Sequence, residues 1–334
     1  MILVTGATGF IGRRLMKRLA ETFDPKEILC LVYPDHTIPL EQSGRAVLDT
    51  LGIRYIPVDL VTGAGVEQIP RSPDIVLHLA SNTDTGARDH SINDVGAKHL
   101  MDAIHPLAPT STLIFTSTIS ASDHRPNPQE AGNEDSVLLR PYSEYGRKKL
   151  EAETYLRDRC KKEGFSLSIL RVSATHGSGT RSNGLYGALA TLAKRRSIVG
   201  RFDYPGRMTA MHVDDVADIL TRLTRLPPRP GQPRTFLAHA EVLSVHEMSA
   251  AAHAALGIPF KPIHFPTWFW RLAQYGSPLV YALEPVLPHG LYNKLWQLTL
   301  LMNNGYNNVS IYLRETFPDK TYKLFKDHAR DLFS

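Results

Sequence analysis

Short apolar runs alternate with amphipathic stretches through the first half of the chain. Ile2–Thr5, Ile28–Tyr33, Arg54–Val58, Ile75–Leu79, Thr112–Thr116 and Ser166–Arg171 are mostly continuous in apolar character instead of alternating. That is the pattern of strands covered on both faces. Between them the spacing lengthens to a helical period. Ile11, Leu15 and Leu19 fall on one face of a first helix, with Arg13, Arg14, Lys17 and Arg18 on the others. Ser91–His105 and Ser143–Lys162 read as two more helices. Strand–helix alternation of this kind predicts right-handed crossovers and an α/β fold built on a doubly wound parallel sheet.

The pattern changes after residue 225. Leu226–Pro233 is a proline-rich turn or linker, and from Leu256 the chain is rich in proline and aromatic residues, with Trp268, Trp270 and Trp296 all in this part. We therefore expect a first domain over 1–175 to which 205–225 returns, and a smaller lobe over 176–204 and 226–334. A length of 334 residues suits two such lobes.

Composition narrows the function classes. Lys and Arg number 38 against 33 Asp and Glu, a net +5 scattered along the chain instead of gathered in a stripe, which argues against a nucleic-acid partner. Lys194, Arg195 and Arg196 read as a solvated helix face. Apolar residues at 43% and charged ones at 21% describe a soluble globular protein. Cys30 and Cys160 are the two cysteines, too few for a disulfide framework or a cysteine-bound metal, so we expect no metal and a reducing, cytoplasmic setting. In such a setting the Asn308-Val309-Ser310 sequon carries no meaning.

Met1 begins an apolar run that passes straight into a glycine-rich turn, without the basic start or the cleavage site of a signal peptide. The longest membrane-like stretch, Phe265–Leu287, is broken by Arg271, Gln274, Glu284 and prolines, so no membrane span is expected. Pro266–Trp270 could also lie at a membrane interface, but Arg271 alone gives that reading little of the basic face it needs.

Two local motifs carry chemistry. Strand Ile2–Thr5 runs into Gly6, Gly9 and Gly12, which open the first helix. One glycine allows the tight turn, one lets backbone approach a pyrophosphate, and one lets helix pack on strand, while the helix N-terminus faces the phosphate charge. No Gly-Lys-Ser/Thr follows, which excludes a P-loop. Further on, Tyr145 and Lys149 stand four apart near a helix start, about one turn or roughly 6 Å from each other. An ammonium so close favours the phenolate and makes the tyrosine usable as a general acid or base near neutral pH. A surface pair of this spacing also arises by chance, so each motif alone leaves the function open.

Together they resemble the extended short-chain dehydrogenases/reductases of the NAD-dependent epimerase/dehydratase type, over most of residues 1–220. Val58-Asp59-Leu60, His78-Leu79-Ala80-Ser81, Asn93-Asp94-Val95-Gly96, Phe115 to Thr118, Arg171 with Gly177, and His212 to Ala217 follow the family's order. The resemblance implies a Rossmann-type sheet and a nicotinamide dinucleotide held by Gly6, Thr8, Gly9, Phe10, Ile11, Gly12, Tyr33, Asp59, Leu60, Leu79, Ala80, Ser81, Asn93, Tyr145 and Lys149. It implies that Thr118, Tyr145 and Lys149 are catalytic. Thr118 would hydrogen-bond the substrate oxygen, Tyr145 would move its proton, and Lys149 would hold the nicotinamide ribose and assist Tyr145. A homodimer is also compatible with the family.

Three departures refine the expectation. The second strand ends at Tyr33, with Asp35 two residues late and Arg13 and Arg45 available nearby, so no acid marks the ribose hydroxyl of NAD and the tip leans towards NADP. Thr118 is followed by Ile119 and Ser120 where the family's dehydratases carry Asp-Glu, which argues against elimination of water. Ala174 and Met208 stand where nucleotide-sugar epimerases tend to carry asparagine and arginine. With Phe260, Phe265, Trp268, Phe269, Trp270, Tyr275, Tyr281, Tyr292 and Trp296 in the second lobe, these departures favour an NAD(P)-dependent alcohol dehydrogenase or ketone/aldehyde reductase acting on a fairly apolar small molecule. A nucleotide-sugar 4-epimerase with tightly bound NAD is the alternative.

Overall fold

The structure is a computed structural model describing residues 1–84, 87–122, 132–135, 139–182, 184–303 and 309–334; Asn308 of the sequon lies outside them. The chain opens with β1 (Ile2–Thr5), α1 (Gly12–Thr22), β2 (Ile28–Val32), α2 (Pro39–Leu51) and β3 (Arg54–Pro57). Next come β4 (Ile75–His78), α3 (Val95–Ile104), β5 (Thr112–Thr118), α4 (Glu144–Glu163), β6 (Ser166–Val172) and β7 (Ala174–His176). Then follow α5 (Leu185–Lys194), β8 (Arg207–His212), α6 (Val213–Leu223), β9 (Arg234–Leu237), β10 (Glu241–Ser244) and α7 (Val245–Ala255). The chain ends with α8 (Thr267–Ala282), α9 (His289–Met302), α10 (Tyr312–Thr316), α11 (Phe325–His328) and a 3₁₀ turn, Ala329–Phe333.

Two compact units emerge. The first comprises Met1–Ala121, Ser143–Val172 and Val213–Phe236. It holds a seven-stranded sheet in the order β3-β2-β1-β4-β5-β6-β9, with every pairing from β3 to β6 parallel. The order reverses between β1 and β4, the crevice at which doubly wound sheets bind ligands. The six expected strands all form, within two residues of the expected ends. β5 runs on to Thr118 because its whole length is buried. β9 is an edge strand that four residues, beginning with Arg234 and Thr235, were too short and too polar to announce.

Apolar side chains of the strands (Leu3, Leu29, Val76, Leu113, Leu167) meet Ala97, Leu100, Met101 and Ile104 of α3 and Ala152 and Leu156 of α4 in one core. α1 turns Leu15, Met16 and Leu19 inward, as its spacing requires. The helix expected from Ser91 begins as a 3₁₀ turn over Ser91–Asn93 and becomes α3 only at Val95. α4 starts cleanly, since Ser143 caps it by accepting from the Gly146 N–H at 3.1 Å. It ends at Gly164, which takes the left-handed conformation that a glycine reaches without strain (φ +81°).

The second unit comprises Ser122–Tyr142, Ser173–His212 and Leu237–Ser334. Its three-stranded sheet runs β10-β8-β7, antiparallel between β10 and β8 and parallel between β8 and β7. Ser244 and Glu247 form a reciprocal capping box that starts α7. α8 packs on α9, pinned by Gln274 donating to the Met302 carbonyl at 2.8 Å and by a 3.2 Å hydrogen bond between the Tyr281 and Thr299 hydroxyls. No helix among the described residues is long and apolar enough to cross a membrane.

Candidate active site

The glycine turn leaves β1 at the crevice between β1 and β4. Gly6 has φ +72°, and a side chain there would meet the Ala80 nitrogen at 2.6 Å. A side chain on Gly12 would lie 2.1 Å from the Gly6 carbonyl oxygen. Both are demanded by the fold itself. Gly9 is different, because a Cβ there would meet only the Gly6 carbonyl oxygen, at 3.3 Å. The open side of the turn therefore leaves room for a ligand to approach the backbone at Gly9. No acid stands in the first turn of α1 to compete for an anion at its N-terminus. A dinucleotide pyrophosphate fits this cradle.

The rest of the turn is tied down. Thr8 is buried and its hydroxyl donates to Glu41 of α2 at 2.9 Å. α2 approaches so closely that a side chain on Gly44 would overlap Thr8. Burial pushes the Glu41 carboxyl up, against the opposing Thr8 bond. Phe10 lies 4.8 Å under the Arg14 guanidinium, and half-buried Ile11 is the N-cap position of α1. From the end of β4, Leu79 donates its N–H to the Thr5 carbonyl at 3.1 Å and Ala80 to the Thr5 hydroxyl at 3.0 Å.

At the tip of β2, Tyr33 is exposed and its carbonyl accepts from the Arg45 guanidinium at 2.5 Å. Arg13 donates to Ser43 at 3.2 Å. Asp35 accepts from the backbone and hydroxyl of Thr37, which hold its carboxyl below the usual range and turn it into its own loop. The tip thus carries Arg45, while its acid is engaged locally and Arg13 is held against α2.

Asp59 and Asn93 have structural partners. Asp59 accepts from the Val61 and Thr62 N–H groups at 2.8 and 3.3 Å, closing the turn after β3. Leu60 is buried there, its carbonyl 2.8 Å from His99 Nδ1. Asn93 is fully buried. Its Oδ1 accepts from the Ser81 hydroxyl at 2.8 Å and the Asn82 N–H at 3.1 Å, while its Nδ2 donates to the Asn82 carbonyl at 3.0 Å. Asn93 clamps the loop after β4, and it uses Ser81 to do so.

Thr118 ends β5, buried, with its hydroxyl oxygen accepting from the Ser120 N–H at 3.1 Å. This opens the 3₁₀ turn Ile119–Ala121, which packs against α4. Tyr145 and Lys149 occupy successive turns of α4, and both are buried. The Tyr145 ring lies 5.9 Å from the His90 ring.

Lys149 Nζ donates to the Thr116 carbonyl at 2.9 Å and stands 4.6 Å from the Phe115 ring centre. Burial brings its pKa down to about 7, opposed by the charge of Glu153 one turn on. His78 also stacks on Phe115, at 5.4 Å, and bonds to the Thr5 hydroxyl at 2.7 Å. Burial and then the Lys149 charge lower the His78 pKa to about 3, so it is neutral. A buried lysine poised near neutrality, with a phenol one turn before it and a hydroxyl at the adjoining strand end, is equipped for proton transfer at an alcohol or carbonyl carbon.

The motif reading missed several supporting groups. Glu153 is fully buried, and its carboxylate is held by Arg171 through bonds of 2.9 and 2.7 Å and by the Ser117 hydroxyl at 2.5 Å. Its one sequence signal is its place four residues after Lys149. In the second unit, His212 Nε2 lies 3.1 Å from Asp331, and His328 3.6 Å from the same oxygen. These three could together hold a metal ion, a cluster invisible to the cysteine count on which no metal was expected.

The expected aromatic wall also divides. Trp268, Phe269 and Tyr275 are exposed, whereas Trp270, Tyr292 and Trp296 are buried within the second unit. Trp270 donates to Asp203 at 3.0 Å and packs with Phe265 and Tyr204, while Tyr281 stacks on Tyr142 at 4.4 Å. The aromatic richness is shared between core and surface, which removes the support it gave to an apolar substrate.

Sheet order, glycine turn and the Tyr145–Lys149 helix define a nicotinamide-dinucleotide enzyme of Rossmann type. The chain belongs to the NAD dependent epimerase/dehydratase family, whose model matches residues 2–238. It is 28% identical over 303 residues to the dTDP-L-rhamnose 4-epimerase of Burkholderia thailandensis, covering 73% of this chain and 80% of that protein. It is 25% identical over 230 residues to the ceramide reductase of Caulobacter vibrioides, covering 68% of this chain and 62% of that one. Its fold superposes on a mutant of the UDP-glucuronic acid 4-epimerase of Bacillus cereus, solved with a fluorinated UDP-sugar and NAD. The TM-score is 0.73 at 16% identity, covering 99% of this chain and 97% of the other.

Proposed function

We propose that this chain is a nucleotide-sugar 4-epimerase that works through an NAD-type dinucleotide. The observation that carries the reading is the match to the dTDP-L-rhamnose 4-epimerase along 80% of its length. A plain ketone or aldehyde reductase, the first expectation, loses ground because its aromatic wall is divided between core and surface. Dehydration is disfavoured by Ile119 and Ser120, which put no acid behind Thr118.

In this reading Gly6, Gly9 and Gly12 and the N-terminus of α1 would hold the pyrophosphate, and Lys149 would hold the nicotinamide ribose. When bound, the dinucleotide supplies the hydride acceptor, and an epimerase gives the hydride back to the opposite face of the same carbon. Tyr145 takes the proton from the sugar hydroxyl as the carbon is oxidised and returns it on reduction. Lys149 holds positive charge beside the developing phenolate and lowers its cost. Thr118 donates a hydrogen bond to the reacting oxygen and fixes it for proton transfer. The relatives point to NAD, whereas Arg45 at the tip of β2 suits a 2′-phosphate; the proposal follows the relatives.

A second reading, a reductase of apolar ketones, is favoured by Ala174 and by buried Met208. At Met208 no cation is offered to a diphosphate, and neighbouring Arg207 donates to the Val242 carbonyl at 3.1 Å. The deciding experiment releases the nucleotide from purified protein by denaturation, identifies it by mass spectrometry, and then incubates the protein with dTDP- and UDP-hexoses. Retained NAD and interconversion at C4 without net NADH formation are expected. An empty site with stoichiometric NADPH or NADH consumption on ketones would overturn the epimerase reading in favour of the reductase.

A further inference from the structure

Helices α8 and α9 carry an apolar face that no described residue of the second unit covers. Trp268, Leu272, Tyr275 and Leu279 are 66, 66, 81 and 65% exposed. Their offsets of four, seven and eleven residues place them in one stripe along α8, about 16 Å long at 1.5 Å per residue. Val286 beyond the helix is 77% exposed, and Leu291 and Leu298 on α9 are 48 and 47% exposed. The opposite face of α8 buries Trp270 and Ser277, so the outward stripe is a second apolar face. Scattered surface leucines need no explanation, but a continuous patch of this kind marks an interaction site.

Charge selects the occupant. Between Phe265 and Asn303 the charged residues are Arg271, Glu284 and Lys294; both cations are exposed, and Glu284 is only partly so. A two-fold pairing of this face with a second copy would bring like charges together in an apolar interface with no exposed carboxylate of the segment to meet them. An anionic lipid surface supplies both missing elements, an apolar layer for the stripe and phosphate for Arg271 and Lys294. Tryptophan and tyrosine are the residues favoured at that boundary. α8, at 16 residues, is too short to span a bilayer and is suited to lie in its surface.

We propose that the α8–α9 face docks this protein onto the surface of an anionic membrane. This does not depend on which reaction the first unit performs. The test is flotation of the purified full-length protein with vesicles of phosphatidylcholine alone and of phosphatidylcholine with 30% phosphatidylglycerol. Binding to the anionic vesicles is expected, with a blue shift of tryptophan emission. It should weaken about thirtyfold in the Arg271→Gln/Lys294→Gln variant, the effect of two interfacial cations. Leu272→Glu/Leu279→Glu should abolish flotation while leaving melting temperature and nucleotide content unchanged, since both side chains are mostly exposed. Wild-type protein that fails to float would overturn the proposal. So would a lipid-free dimer, seen by sedimentation equilibrium, that the double glutamate variant dissociates, because the face would then belong to a second copy.

Discussion

Lys149 donates through Nζ to the backbone carbonyl of Thr116, 2.9 Å away, and so ties the second turn of α4 to the strand that ends in Thr118. The bond fixes the ammonium at the C-terminal end of β5. It leaves the lysine buried, over an aromatic ring, with a pKa brought down to about 7. Such a site holds its charge at a cost in folding stability, which ties a motif of proton transfer to a measurable property of the whole molecule.

The sign of that property follows from proton binding. In the unfolded chain Lys149 titrates near the ordinary lysine value of about 10.5; in the folded one burial brings it down to about 7. Between these values the unfolded state binds more protons, so stability rises with pH across the window, and below pH 7 the full cost is present. Lys149→Met removes the buried charge. Its melting temperature should exceed that of the wild type most at and below pH 7, and the gap should close as pH approaches 10.5. A gap that stays constant from pH 6 to 10 would mean that the lysine titrates alike in both states.

Tyr145→Phe tests the proton-transfer role directly. Loss of a general acid–base group costs about 10²–10⁴-fold in turnover. The dissociation constant for the dinucleotide, followed by fluorescence titration, should stay within about twofold. Turnover retained within tenfold would remove Tyr145 from the mechanism.

The glycines separate into two classes that a paired experiment resolves. Gly12→Ala drives a methyl group into the Gly6 carbonyl, where its ideal position is 2.1 Å away, and backbone cannot step aside. It should cost about 1–3 kcal/mol or more, seen as a clear drop in melting temperature. Gly9→Ala meets only one atom, at 3.3 Å, so the fold should tolerate it. Its cost should fall on the bound dinucleotide, with affinity reduced at least about tenfold as the methyl group enters the pyrophosphate cradle. Equal affinity for wild type and Gly9→Ala would place the pyrophosphate elsewhere.

What the sequence made legible was local. The glycine turn and the Tyr145–Lys149 spacing each span a handful of residues, and continuous apolar runs marked six strands of the sheet. What it hid was distant: Thr8 meets Glu41 across 33 positions and His212 meets Asp331 across 119. Nothing in local pattern says which of several polar residues will find each other after folding. Asn93 shows the same limit, since the motif marked the residue but not that its carboxamide is spent on Ser81 and Asn82. The aromatic segment misled for a different reason. Composition counts rings without facing them, and α8 has two apolar faces of which only one turns inward.

The buried pair Glu153–Arg171 permits the sharpest test of the scaffold behind the site. Both are almost fully buried and joined by two bonds, and Arg157 adds a contact at 3.7 Å. Arg171→Met should destabilise by about 3–5 kcal/mol, because among the described residues it leaves the Glu153 carboxylate with Ser117 and the more distant Arg157. Glu153→Met with Arg171→Met removes both charges together and should recover much of that loss, as apolar replacements of buried ion pairs commonly do. Thermal melts of the two single variants and the double give the coupling by a mutant cycle. Since Glu153 also opposes the lowering of the Lys149 pKa, the double variant should shift the alkaline rise in stability to lower pH even where its fold is restored. A restored fold with an unmoved pH profile would separate the pair from Lys149 and confine it to packing.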